Sequence, residues 1–166
     1  MLPTREEAFE LVRDGLSCNP GPWGRHCLTA AHCAEKIANA CGDMDSEKAY
    51  ILGLLHDIGR KFGTRHPGHV SEEELTLIKT RLDETVYDEY DLLIQLCDSL
   101  AGADGVLDIE ERMNDVKRRY GSYPQEKWDS NIGLMHYFEK KMNQNIYLVC
   151  EKIPLYRKNW HKRKGD

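Results

Sequence analysis

Four side chains in this sequence have the types and order that hold a divalent cation: His26, the adjacent pair His56 and Asp57, and Asp98. What marks them is where the polar groups fall. His56 and Asp57 directly follow the apolar run ILGLL, and Asp98 lies inside LLIQLCDSLA, so at least two carboxylates are expected to approach the core. An ionised carboxylate buried without a partner is costly, and a divalent ion is one of the few groups that can compensate several at once. No lysine or arginine lies one helical turn from Asp98 to pair with it.

Neighbouring residues on a helix point about 100° apart, so His56 and Asp57 can share a target only where the helix ends. Gly59 is read as the residue that lets the chain turn there, where a cation also meets the negative pole of the helix dipole. Two imidazoles and two carboxylates suit a borderline or hard ion such as Mn, Mg, Co, Ni, Fe or Zn. In an ion of about six-fold coordination they leave room for a water and a phosphate oxygen. The chemistry that follows is attack of a metal-activated water on a phosphate ester. Asp57 is placed to assist that water. Arg60 is placed to hold the phosphate, with Lys61 as a weaker candidate. His32 is the rival of His26 but falls on another face of the same helix and is read as an ordinary packed or surface histidine.

The elements that must position these residues read as helices throughout, and alternating strand patterns are hard to find. Thr4 and Glu7 form a capping box for a helix from about Arg5 to Asp14 that stops at Gly15. A second helix, about Arg25 to Cys41, carries small residues at Ala30, Ala31, Ala34 and Ala38 that permit close approach, and ends at Gly42. The third starts at Ser46 as N-cap and runs through AYILGLLHD; being apolar on nearly every side, it is read as the central buried helix. Ser71 and Glu74 cap a fourth, through Leu82. Further helices are expected at about Tyr87 to Ala101, Asp108 to Tyr120 and Pro124 to Met142, with IYLVCEKI as a last helix and Lys158 to Lys164 as a solvated tail.

Composition bounds the answer. At 166 residues and with no internal linker, the chain is read as one domain that can bury a core without disulfides. A net charge of −5 argues against a nucleic-acid binder, which needs a basic surface. No run is long and apolar enough to span a bilayer, and MLPTREEAFE lacks the apolar stretch of a secretory signal, so a cytoplasmic protein is expected. The six cysteines contain no C-x-x-C pair and are read as reduced, packed thiols. DGVLDIEE imitates the second half of a calcium loop. Aligning Gly105 with the loop glycine puts Leu100 and Gly102 where carboxylates should be, so Asp108 is read instead as a helix N-cap.

The stretches PGPWGRHCLTAAHCAEKIA, GLLHDIGRK and YDLLIQLCDSLAGADGVLDIEER resemble the HD-domain metal-dependent phosphohydrolase superfamily, especially its small stand-alone members, over residues 20 to 120. The resemblance implies an all-α, HD-domain-like orthogonal helical bundle. It also implies that the ordered set H, HD, D, here His26, His56, Asp57 and Asp98, binds the metal, and that the substrate is a nucleotide or related small phosphorylated molecule. Members of this branch carry a longer segment between HDIGR and the last Asp, with extra histidines. Only TRHPGHV stands there in this chain, which favours one metal over two and leaves His66 and His69, as the resemblance implies, as remnants of those histidines and candidate substrate contacts. Two other functions compete: a non-catalytic regulatory or interaction domain held together by the metal, and a di-iron oxygenase, which would want the histidines this chain lacks. Homo-oligomerisation is left open by the sequence.

Overall fold

The computed structural model describes residues 2–63 and 71–151. Its elements are α1 (Arg5–Cys18), α2 (Trp23–Cys41), α3 (Ser46–Leu55), a 3₁₀ turn (Ile58–Phe62), α4 (Glu72–Glu84), α5 (Glu89–Leu100), α6 (Ile109–Tyr120), α7 (Gln125–Met142) and α8 (Ile146–Cys150). Among the described residues the fold is all-α; the sole β-type pairing there is an isolated antiparallel bridge between Ala101 and Val106. No helix is long and apolar enough to cross a membrane. His66, His69 and the basic tail Lys158 to Lys164 lie outside the described residues.

Local chemistry starts most of these helices. Thr4 and Glu7 close a capping box on α1, Ser71 and Glu74 on α4, and Asp88 and Asp91 on α5. Asp108 accepts from the backbone of Glu110 and Glu111 at the head of α6. Each such cap satisfies N–H groups that a helix start leaves without partners, and is worth about 1 kcal/mol.

Three boundary expectations are corrected. First, α1 does not stop at Gly15 but continues to Cys18. A Cβ on Gly15 would lie 3.0 Å from the Trp23 ring and 3.2 Å from Lys61 Cβ, so the glycine serves a close approach inside the helix. Second, the cap of α3 is Asp45, not Ser46; its carboxylate accepts from the backbone of Glu47 and Lys48. Third, Gly59 is not the turning point. The helix ends at Leu55, Asp57 leads into the 3₁₀ turn, and Gly63, with φ at +82°, ends that turn.

The central element is also not the one expected. Two apolar clusters make up the core. One gathers Ala8, Val12, Leu16, Trp23, Leu28, Tyr50, Ile51 and Leu54 from α1, α2 and α3. The other gathers Ile37, Leu93, Leu96, Leu100, Ile109, Met113, Phe138 and Ile146 from α2, α5, α6, α7 and α8. Only α2 contributes extensively to both, so α2, rather than α3, is the axis of the fold. Burying a leucine or isoleucine of this kind contributes about 1.5–3 kcal/mol.

The tightest contact in the core joins α2 to α3. A Cβ on Gly53 would lie 2.8 Å from Ala31 Cα and 3.1 Å from the Ala30 carbonyl oxygen. The two backbones meet there with no side chain between them, which is why this face of α2 is built of alanines. His26 lies one turn before Ala30, and His56 one turn after Gly53. The contact therefore sets the distance between the two histidines. Gly53→Ala should cost about 1–3 kcal/mol in chemical denaturation, because backbone atoms cannot move aside as side chains can. A variant as stable as the parent would show that the helices do not meet at this point.

Candidate metal centre

His26 sits in the first turns of α2, and its Nδ1 lies 3.0 Å from the carbonyl oxygen of Ala101 at the end of α5. A carbonyl can only accept, so Nδ1 carries the hydrogen and Nε2 is left with a lone pair. His56, at the C-cap of α3, repeats this logic: its Nδ1 donates to the Gly53 carbonyl at 2.8 Å, again leaving Nε2 as the free nitrogen. The two Nε2 atoms are 3.2 Å apart. Two lone pairs face each other at that distance only if a positive charge, a proton or a metal ion, sits with them.

The carboxylates complete the arrangement. Asp98 Oδ1 lies 2.9 Å from His26 Nε2 and 3.7 Å from His56 Nε2. Asp57 Oδ2 lies 3.9 Å from His56 Nε2. One donor atom each from His26, His56 and Asp57 fall within 4.8 Å of one another. These residues come from α2, the end of α3 with the turn that follows it, and α5. The triad of His26, His56 and Asp57 could hold a metal ion, and Asp98 falls outside that group although it meets both rings. Both imidazole tautomers are fixed by backbone carbonyls, as ligating histidines commonly are.

Burial differs from the sequence expectation in one respect. The His26 and His56 side chains are 12% and 11% exposed and Asp57 is 25% exposed, but Asp98 is 51% exposed. Cys97 and Leu100 carry the buried face of α5, and Asp98 points to its rim. Its charge therefore demands a partner less strongly than a core carboxylate would. What it lacks in burial it makes up in contacts, since it meets both histidines.

Burial by itself would drive the proton off His56, but hydrogen bonds to Asp98, Cys27 and the Gly53 carbonyl outweigh it and raise its pKa to about 10. Partial desolvation works against the charge on Asp98, yet His26 and His56 hold its carboxyl well below the usual carboxylate range. Without metal, the imidazolium of His56 and the carboxylate of Asp98 thus form an ion pair.

The other predicted site residues fall unequally around this centre. Arg60 is half-exposed, and its Nε donates to Asp57 Oδ2. The Asn19 side chain donates to the Arg60 carbonyl at 2.7 Å, and Trp23 Nε1 donates to the Asn19 carbonyl at 2.8 Å, so the end of α1 and the start of α2 pin the turn that carries Arg60. Lys61 lies against Gly15 through its Cβ, and its ammonium sits 4.9 Å from the centre of the Phe62 ring. It does not line the cleft at the metal centre. His32 is remote from the four donors, bonded to Glu35 at 3.3 Å and stacked edge-on against Tyr50. The calcium-like loop braces the fold, because Asp104 pairs with Arg25 and so ties the chain after α5 to the head of α2.

His26, Asp57, Asp98 and Arg60 line a cleft of about 740 Å³. Its other side is formed by Arg112, Asp115, Val116, Arg119 and Tyr120 of α6, none of which the sequence reading singled out. The signal was present, because Arg112, Asp115 and Arg119 fall at i, i+3 and i+7, one stripe of a helix. No residue of α4 lines this cleft.

Residues 14–89 match the family model of the HDOD domain. That family is related to the HD domain, and the match takes in His26, His56, Asp57 and Arg60 while stopping short of Asp98 and α6. It covers less than half of the chain. No curated protein and no solved structure matches the chain. Similarity to an HDOD domain therefore accounts for the helices that bring the histidines together, and the remaining wall of the cleft rests on its own geometry.

Because His56 holds a proton up to about pH 10 without metal, an incoming cation must displace it. Metal affinity measured by calorimetry should therefore tighten by up to about tenfold per pH unit from roughly pH 6 to pH 8. An affinity that does not change with pH would show that no proton leaves. The metal-free protein has the opposite trend. The raised pKa of His56 contributes stability in full below its ordinary 6.5 and loses it as pH climbs through about 10. The depressed pKa of Asp98 contributes above its ordinary 3.8 and loses it in acid.

Proposed function

We propose that the chain is a metal-dependent phosphohydrolase that cleaves a phosphate ester of a nucleotide or related small molecule. The observation that carries this reading is the pair of Nε2 lone pairs 3.2 Å apart, with two carboxylates beside them, at the edge of a cleft that admits a small molecule. His26, His56, Asp57 and Asp98 would hold the cation, one of Mn, Mg, Co, Ni, Fe or Zn by the donor set. When bound there, it lowers the pKa of a water and withdraws charge from the phosphoryl oxygen.

The chain's own residues do the rest. The Ala101 and Gly53 carbonyls keep both imidazoles turned with Nε2 toward the shared point. Asp57, at the cleft wall, accepts the proton of the attacking water. Arg60 steadies Asp57 through Nε and meets a phosphate oxygen with the rest of its planar fork.

Charge balance favours an anionic substrate at the metal end once the cation is present. Three arginines (60, 112 and 119) and three aspartates (57, 98 and 115) line the cleft and cancel formally. A divalent ion tips the balance to about two positive charges, which lets an acidic chain attract a phosphate locally.

A second reading is favoured by one contact. Asp57 Oδ2 already accepts from Arg60, as a carboxylate does in a purely structural pair. On that reading the cation only fastens α2, α3 and α5 together in a non-catalytic module. Elemental analysis of the purified protein, with phosphate release from a nucleotide panel supplemented with Mn, Mg, Co or Ni, separates the two. The hydrolase reading expects turnover that His56→Ala and Asp57→Ala abolish. Both variants should also lose more metal affinity than the about 10–100-fold typical of losing a ligand's outer hydrogen-bond partner. Metal bound at one equivalent with no turnover on any nucleotide would leave the structural module in place. Full activity in either variant would remove that residue from the site.

A further inference from the structure

The cleft has a second wall that the proposed hydrolysis does not use. Along α6, Asp115 Oδ2 lies 2.9 Å from Arg119 Nε and 3.9 Å from Arg112 Nη1, while Oδ1 lies 3.4 Å from Arg118 Nη2. One carboxylate among three guanidiniums leaves the group strongly cationic. Arg118 is turned away from the cleft, exposed, and lines a separate depression with Glu111, Asn114 and Lys117. Within the cleft two arginines therefore face one aspartate.

Arg112 is the unusual member. Its side chain is mostly covered, and its Nε is buried with no hydrogen-bond partner among the described residues. A covered guanidinium normally has its donors matched, because an unmatched buried donor is costly. Its ion-pair distance to Asp115, 3.9 Å, is long for a direct hydrogen bond. Arg112 thus stands at the cleft with donors to spare. The lining of the same cleft includes the small or apolar residues Ala101, Gly102, Ala103 and Leu107.

We propose that Arg112 and Arg119 form an anion subsite that binds a second phosphate-class group of the substrate. The ester phosphate lies at His26, His56, Asp57 and Asp98, and the organic part bridges the two ends. The ligand class is a small molecule bearing two phosphates, not a polymer, since the acidic chain lacks the surface to track a nucleic-acid backbone. The assignment of the two ends rests on the phosphohydrolase reading; the binding at α6 does not.

The test is calorimetry of the metal-free full chain with adenosine 5′-monophosphate and with adenosine, which probes the α6 subsite alone. The monophosphate should bind about ten- to a hundredfold tighter, as one or two charge-assisted hydrogen bonds require. Arg119→Ala and Arg112→Lys should each erase most of that advantage, whereas Arg118→Ala should keep it. Arg112→Lys retains the aliphatic stem and the charge and removes only the fork, so its fold, checked by circular dichroism, stays comparable. Equal affinity for the two compounds, or an advantage that survives both substitutions, overturns the subsite. Turnover with added manganese is read separately. An arginine-dependent preference without turnover keeps the subsite and rejects the hydrolase, while turnover of the monophosphate without any preference does the reverse.

Discussion

Two imidazole nitrogens 3.2 Å apart, each with its hydrogen committed elsewhere on the ring, cannot stay together without a positive charge. The architecture around them exists to impose that proximity. Gly53 lets α3 rest on the alanine face of α2, which brings His56 to His26. The end of α5 then supplies both the Ala101 carbonyl that orients His26 and the carboxylate of Asp98 that meets both rings. Without metal, a proton on His56 supplies the missing charge, held there by Asp98, Cys27 and the Gly53 carbonyl.

What was legible in the sequence was mostly what short-range chemistry dictates. The caps at Thr4, Ser71 and Asp108 were readable because a cap is a hydrogen bond between residues two or three apart. The alanines of α2 announced a close approach, but the glycine on the facing helix that makes it possible drew no notice. The glycines show the limit most clearly. Gly15 and Gly59 looked like stops by type and position, yet Gly15 lies inside a helix under Trp23, and the positive φ belongs to Gly63. Residue type states that a glycine is needed; only the neighbour across space states whether the need is a turn or a contact.

The same limit applies to the site. His26, His56, Asp57 and Asp98 could be picked out because their order and their place beside apolar runs are sequence properties. Their burial could not. Asp98 sits between buried neighbours in the chain but projects to the rim of α5, since adjacent residues on a helix face different ways. The α6 wall was missed for a related reason. Arg112, Asp115 and Arg119 look like a solvated charge run until α5 and its loop bring that face opposite the histidines.

The charge of the cleft ties these parts together. Its arginines and aspartates cancel formally. The cancellation is uneven in space, however. Asp57 and Asp98 stand with the histidines at one end, while Arg112 and Arg119 outnumber Asp115 at the other. A divalent ion neutralises the acidic end and leaves the basic end as it was, which converts a dipolar cleft into one that is positive along its length. Binding of cation and binding of anion are therefore coupled through the field of the cleft alone, with no movement of the helices required. By linkage an anion seated at α6 would strengthen the hold on the cation by the same factor.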